Sequence, residues 1–244
     1  MKRAFWPVLL AAVAFAIIFI ARIPAGWVVP QATAARFCTS LDGTVWSGTC
    51  AGLTFGGRAL GDLGWDLHPL RLVAGRLAAH VTLAHGMTSA RGDVELGFGG
   101  RITLRNLLVD GPLDAALIPG VPTTLRGTAH VDLVLAQIQH GILRELQGRI
   151  EAHDLEDRSG NDTALGSYVV SFPGGSTPPT GTVRDLDGPL AVEGTLRLTA
   201  QPGFELEGFI APRKDAAPEI VNNIRLFGSP DASGRRPFSM SGTF

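Results

Sequence analysis

Charge is scarce in this sequence. Only 18% of its 244 residues are Asp, Glu, Lys or Arg, and the formal net charge is -1. No Lys/Arg cluster follows the N-terminus, so the concentrated positive charge that neutralises phosphates is missing and nucleic acid is excluded as a partner. There is one tyrosine and there are two cysteines, with no C-x-x-C between them. Redox-active or zinc-binding cysteine chemistry therefore has no support. The chain also lacks a G-x-S-x-G elbow, a phosphate-binding Walker loop and an H-E-x-x-H zinc motif. Long apolar runs are absent but for one.

That one run is Ala4–Ala21, uncharged and flanked by Lys2-Arg3 and Arg22. At about 1.5 Å per residue it spans roughly 27 Å, enough for a thin hydrocarbon core. A cleaved signal peptide would place small residues directly after the run. Here Arg22-Ile23-Pro24 follows, and Ala32-Thr33-Ala34 comes about a dozen residues later. The pattern favours an uncleaved anchor. Lys2 and Arg3 then hold the N-terminus in the cytoplasm and the rest lies outside that membrane. The expected division is 1–25 for the cytoplasmic tip and transmembrane signal anchor, 26–36 for a linker, and 37–244 for a periplasmic β domain.

Glycine and proline are plentiful, at 31 and 16 residues. Both are disfavoured inside helices, which points to many short strands and tight turns. Alternation of period two dominates from Gly43 onward. Leu77, Ala79, Val81 and Leu83 share one strand face, as do Val94, Leu96 and Phe98. The same holds for Ile102 and Leu104, for Ala129–Leu135, for Leu146–Ala152, for Leu190–Leu198, for Phe204–Gly208 and for Phe238–Phe244. One apolar and one wet face is the signature of antiparallel sheets. The phrases LQGRIEA, VEGTLRL, LRGTAHV and MSGTF each carry a glycine within a strand, which predicts bends or bulges. The expected fold is all-β: one N-terminal transmembrane helix, then a strongly curved antiparallel sheet, half-pipe or sandwich-like, with one or two short helices. Those helices are expected at Pro112–Ile118 and Pro218–Phe227, the second stopped by Gly228 and Pro230. Loops are expected at Asp110–Pro122, Asp154–Thr163 and Pro173–Gly188.

Two cysteines in an exported chain read as one disulfide, so Cys38 and Cys50 are expected to bridge across a hairpin turning near Asp42-Gly43. Candidate chemistry is otherwise thin. Asp154, Glu156, Asp157, Asn161 and Asp162 supply oxygen ligands, but not at the spacing of a calcium loop. His80 and His85 have opposite strand parity, while His130 and Asp132 share a face as a surface pair. Gly97-Phe98-Gly99-Gly100 runs into a strand and reads as a hairpin turn rather than a phosphate cradle. Trp46 and Trp65 read as near-core aromatics rather than partner anchors. No catalytic residues, metal ligands or cofactors are expected, and the chain does not read as an enzyme.

One stretch carries a likeness to a known family. It comprises Gly43-Thr44-Val45-Trp46-Ser47-Gly48, then Leu60-Gly61-Asp62-Leu63-Gly64-Trp65-Asp66-Leu67-His68-Pro69-Leu70 and Gly75-Arg76-Leu77. Near the other end stand Leu206-Glu207-Gly208, Ala211-Pro212-Arg213, Leu226-Phe227-Gly228-Ser229-Pro230-Asp231 and Gly234-Arg235. In order and spacing these resemble the type II secretion system protein N family. The signature positions are Gly43, Trp46, Gly48, Trp65, Pro69, Leu70, Gly208, Pro212, Gly228, Pro230, Asp231 and Gly234. The resemblance implies a single-pass component of the Gram-negative inner membrane with a periplasmic body. It implies an accessory, non-catalytic role in export of folded exoproteins, with other type II secretion subunits as partners. The rival class is a periplasmic lipid-binding or lipid-transfer protein of the AsmA type, with a lipid on the apolar concave face. An outer-membrane barrel ranks last, because aromatic girdles are missing.

Overall fold

The structure, a computed structural model, describes residues 5–28, 35–113, 122–159, 162–199, 203–214 and 216–243. The chain divides into two compact units, Met1–His85 and Gly86–Phe244. All strands are joined to their sequence neighbours within each unit by antiparallel pairing, which is the connection that short turns permit.

The first unit opens with helix α1 (Phe5–Ala21) and, after Pro24, the single turn α2 (Ala25–Val28). Strands β1 (Ser40–Gly43), β2 (Ser47–Phe55), β3 (Arg58–Leu67) and β4 (Leu77–His85) follow as a meander. The short helix α3 (Pro69–Val73) connects β3 to β4, with Pro69 in its first turn, where a missing N–H costs nothing. The expected transmembrane helix is not borne out. α1 has 17 residues, about 26 Å, and no helix among the described residues is long and apolar enough to cross a membrane. The helix stops because the chain turns at Arg22–Ile23 before Pro24, which has no N–H to continue the ladder. Ala4, where the expected span begins, lies outside the described residues.

The second unit contains β5 (Thr88–Gly97), β6 (Arg101–Pro112), β7 (Leu125–Gln139), β8 (Ile142–Asp157), β9 (Thr163–Pro173), β10 (Thr180–Asp187), β11 (Leu190–Leu198), β12 (Gly203–Pro212) and β13 (Arg236–Thr243). Each strand pairs with the next. The register puts Val109, Val131, Ile150, Val170 and Val183 in one row across five strands. Asp110, His130 and Glu151 lie in the next row, on the other face, which continues into Val169. On the apolar face Leu133, Ala136, Leu146 and Phe172 form a buried cluster. Helix α4 (Pro218–Ile224) covers a second patch, where Ile220 and Ile224, one turn apart, pack on Leu190.

Several expectations are corrected here. The sheet is not strongly curved. Gly194, read as a bending point, instead faces Gly208 within nine unshifted pairs of β11 and β12, so the two strands come close without either turning. Bulges do occur beside Gly127 and Gly148, where the β7–β8 register slips. The Pro173–Gly188 loop holds a full strand, β10, whose first half, Thr180–Arg184, alternates between buried and exposed after the Pro-rich part. β9 is a strand that strict alternation does not reveal, since Tyr168-Val169-Val170 is apolar on both faces. Most of the helix expected at Pro112–Ile118 lies outside the described residues, and Pro112 itself ends β6. α4 closes at Ile224, and the N–H groups of Arg225, Leu226 and Phe227 then donate three residues back, the tighter winding common at helix ends.

Candidate functional site

Four of the first-unit signature residues, Gly43, Trp46, Gly48 and Trp65, converge where the apolar helix meets the sheet. Trp46 sits in the tight turn between β1 and β2, and its indole Nε1–H donates to the Ile20 carbonyl oxygen at 2.8 Å. That carbonyl belongs to the last turn of α1, whose acceptors have no partner within the helix. Two more ties flank it. The Val45 N–H donates to Ile23 O at 3.0 Å, and Pro24 bridges to Thr44. Trp65, from β3, donates its Nε1–H to Val45 O at 3.2 Å, fixing the same turn from the opposite side. Gly48 lies opposite Trp65 in the register, and the ring occupies the space a side chain would need: a Cβ there would be 2.8 Å from Trp65 Cη2. Gly43, at φ +100°, pairs with Gly48 and makes the turn. Both tryptophans are half-buried, and each indole N–H is hydrogen-bonded within the unit.

Cys38 and Cys50 form a disulfide. Cys50 lies in β2 opposite Leu41 and is 1% exposed, while Cys38 stands just before β1, so the bridge ties the incoming chain diagonally to the hairpin. It forms one wall of an apolar cavity of about 290 Å³ shared with Ala25, Val28, Leu53, Leu63 and Trp65. Pro69 opens α3, and Leu70 beside it is 85% exposed, a large apolar side chain presented to its surroundings.

The second-unit signature residues build two supports. After Pro212, at the end of β12, Arg213 forms an ion pair with Asp185 of β10 and donates to Gly188 O at 3.0 Å. Asp185 also accepts from the Val192 N–H at 2.7 Å. Next to it, burial pushes the Tyr168 hydroxyl up to about 12, with the Asp185 charge adding to the effect, and the hydroxyl donates to Leu165 O. The other support is the loop carrying Pro230, Asp231 and Gly234. One Asp231 carboxyl oxygen accepts from the N–H groups of Ser233 and Arg235 at 2.8 and 2.9 Å, and the other accepts from Arg235 Nε at 3.1 Å. Desolvation opposes ionisation there, but these bonds outweigh it and hold the carboxyl below its ordinary value. Gly234, at φ +80°, closes the turn, and the Arg235 guanidinium lies over the Phe209 ring, 4.8 Å from its centroid. Gly228 O accepts from Arg236 at 2.6 Å, and Gly208 faces Gly194 on one side and Phe238 on the other. In sequence these positions stand apart; Arg235 stacking on Phe209 and Trp46 closing α1 are contacts across distant stretches that no local pattern announces.

The remaining polar candidates are surface groups. His130 Nδ1 pairs with Asp110, and that hydrogen bond raises the imidazole above its ordinary value despite partial desolvation. His153 bonds Glu151 at 2.9 Å and keeps that carboxyl low. Asp154, Glu156 and Asp157 belong to β8 and Asp162 precedes β9, whereas Asn161 lies outside the described residues. Asp157 accepts from the Ser159 N–H and Glu156 pairs with Arg158, so both carboxylates are engaged locally. Among the described residues no three His, Cys, Asp or Glu side chains are grouped to hold a metal ion. The hairpin reading of Gly97–Gly100 holds, with Phe98 at the exposed tip.

A relative from Vibrio cholerae serotype O1, "Type II secretion system protein N", is 25% identical over 211 residues, covering 84% of this chain and 83% of its own. No solved structure matches the chain. The family model for type II secretion system (T2SS), protein N, matches residues 37–239, from just before the disulfide to the middle of β13, and the chain belongs to that family.

Proposed function

We propose that this protein is a non-catalytic accessory subunit of the type II secretion system, held at the inner membrane through its apolar N-terminal segment with its β body in the periplasm. The body corresponds to residues 37–244, the linker to 26–36 and the membrane-proximal segment to 1–25. The reading rests on the family match across the β body. The geometry of the signature residues supports it. Trp46, Trp65 and Gly48 hold the end of α1 against the first hairpin, so the helix and the sheet move together there. Exposed Phe15, Ile18 and Phe19 on α1 suit an apolar environment, and the disulfide suits an oxidising compartment. Contacts with other secretion subunits fall to sheet edges and exposed apolar residues such as Leu70 and Leu226.

A clean deletion tests this. Folded exoproteins are expected to accumulate in the periplasm instead of the medium, with secretion restored by the intact gene. Normal secretion combined with a detergent-sensitive outer membrane would overturn the reading and favour lipid binding. That second reading has one observation behind it: Leu104, Leu107, Val131, Leu143, Ile150, Val170, Leu196 and Leu198 on the apolar face are only partly buried. Lipid extracted in stoichiometric amount from the purified chain would support it, and none would argue against it.

A further inference from the structure

We infer that two copies of this chain associate through β13, pairing antiparallel about a two-fold axis at Met240. The inference does not depend on the secretion reading. β13 pairs with β12 on one side, and no other strand among the described residues pairs with it. An unpaired edge is a template for another strand, and proteins blunt such edges with charge, proline, bulges or short length. The edge strand of the first unit is blunted in this way: β1 has four residues, includes Asp42, and is followed by the Pro24 bridge to Thr44. β13 is eight residues long and pairs without a register shift. Arg236 and Pro237 open the strand, and the six residues after them, Phe238 to Thr243, read FSMSGT, without charge or proline. Met240 is 53% exposed although it lies in the apolar row with Leu206.

The sequence of this edge is complementary to itself. Side chains keep to their own face only if residues of equal parity pair, which restricts the axis to a residue rather than a gap between residues. With Met240 on the axis, Phe238 of one copy lies opposite Gly242 of the other, and Ser239 opposite Ser241. The fold already uses that aromatic–glycine pairing across strands, in Trp65 with Gly48, Phe172 with Gly148, Phe238 with Gly208 and Phe204 with Gly242. In two of these pairs the ring fills the space a side chain would need: a Cβ on Gly48 would come within 2.8 Å of Trp65 Cη2, and one on Gly242 within 2.7 Å of Phe204 Cε1. Across the proposed interface the row would read Gly208, Phe238, then Gly242 and Phe204 of the second copy. The alternation of glycine and aromatic thus continues unbroken. On the wet face Glu207 and Ser239 continue into Ser241 and Glu205 of the second copy, so no like charges meet directly. Each copy contributes the same surface, as a closed two-fold interface requires. The contact is smaller than a standard interface of about 1,600 Å², so association should depend on concentration.

The test uses the full chain in detergent, with sedimentation equilibrium reporting mass and circular dichroism reporting fold. The wild type is expected to dimerise. Met240→Lys and Met240→Glu, each placing like charges on the axis, should each weaken dimerisation by roughly tenfold or more, and mixing the two variants should restore it. In native membranes Met240→Cys should cross-link copy to copy on mild oxidation, while Phe98→Cys at a distant exposed turn should not. A wild type that stays monomeric up to about 100 μM, a dimer indifferent to Met240→Lys, or Met240→Cys cross-links to other polypeptides with none to itself would each overturn the inference.

Discussion

Gly48 shows how much one residue can be fixed by a partner far along the chain. Its neighbour is a tryptophan from another strand, and a methyl at this position meets both the ring of Trp65 and the carbonyl oxygen of Asp42. Gly48→Ala is expected to cost about 2–3 kcal/mol, as overpacking of a tight site does. Gly26, with open space around it in α2, is the control: Gly26→Ala should be neutral or slightly stabilising. Chemical denaturation of the two variants checks the difference. A second residue-scale expectation concerns His130. Its hydrogen bond to Asp110 raises the folded pKa above 6.5, with Glu151 and Asp132 adding to the effect. Because the folded value is the higher one, the pair's stabilisation is complete below pH 6.5 and fades as pH rises through the raised value. It is small, since both side chains are exposed and screened. Asp110→Asn should move the imidazole titration back toward 6.5, read by NMR.

At the scale of elements, α4 is held by two side chains. Ile220 and Ile224 are 6% and 3% exposed and seat the helix on Leu190, Val192 and Ile210. Seven residues are too few for a helix to persist in water, so this burial is what keeps it formed. Replacing either isoleucine by alanine should cost about 2–4 kcal/mol and raise amide exchange across 218–224. Leu226→Ala, at an exposed position just past the helix, should change stability by less than about 0.5 kcal/mol. The helix was legible from Pro218, Glu219 and the apolar spacing behind them. Its end was not, because the tighter last turn depends on where Phe227 meets Phe238. β10 was hidden for a different reason. Its neighbourhood is rich in Pro, Gly and Ser, and composition averaged over the window outweighed the short alternation of Thr180–Arg184.

At the scale of the molecule, both cysteines fall in the first unit. Reduction, or the double variant Cys38→Ala/Cys50→Ala, should therefore weaken that unit by about 3 kcal/mol through the lost loop constraint and leave the second unit's unfolding unchanged. Differential scanning calorimetry with and without reductant reads this directly. The sequence by itself determined the all-β class, the apolar N-terminal segment, the disulfide and the family resemblance. Each of these rests on a local pattern or on residues in fixed order: period-two alternation, an uncharged run, two cysteines close in sequence, and signature motifs in sequence. Tertiary structure alone decided where α1 stops, which strand glycines sit beside bulges (Gly127 and Gly148) and which seat a neighbouring strand or ring (Gly194 and Gly242), and that Asp231 holds Arg235 over Phe209. A glycine codes for permission, not for a partner. Whether it becomes a bend, a bulge or a seat depends on the residue that register places opposite, and register is set by strands from elsewhere in the chain.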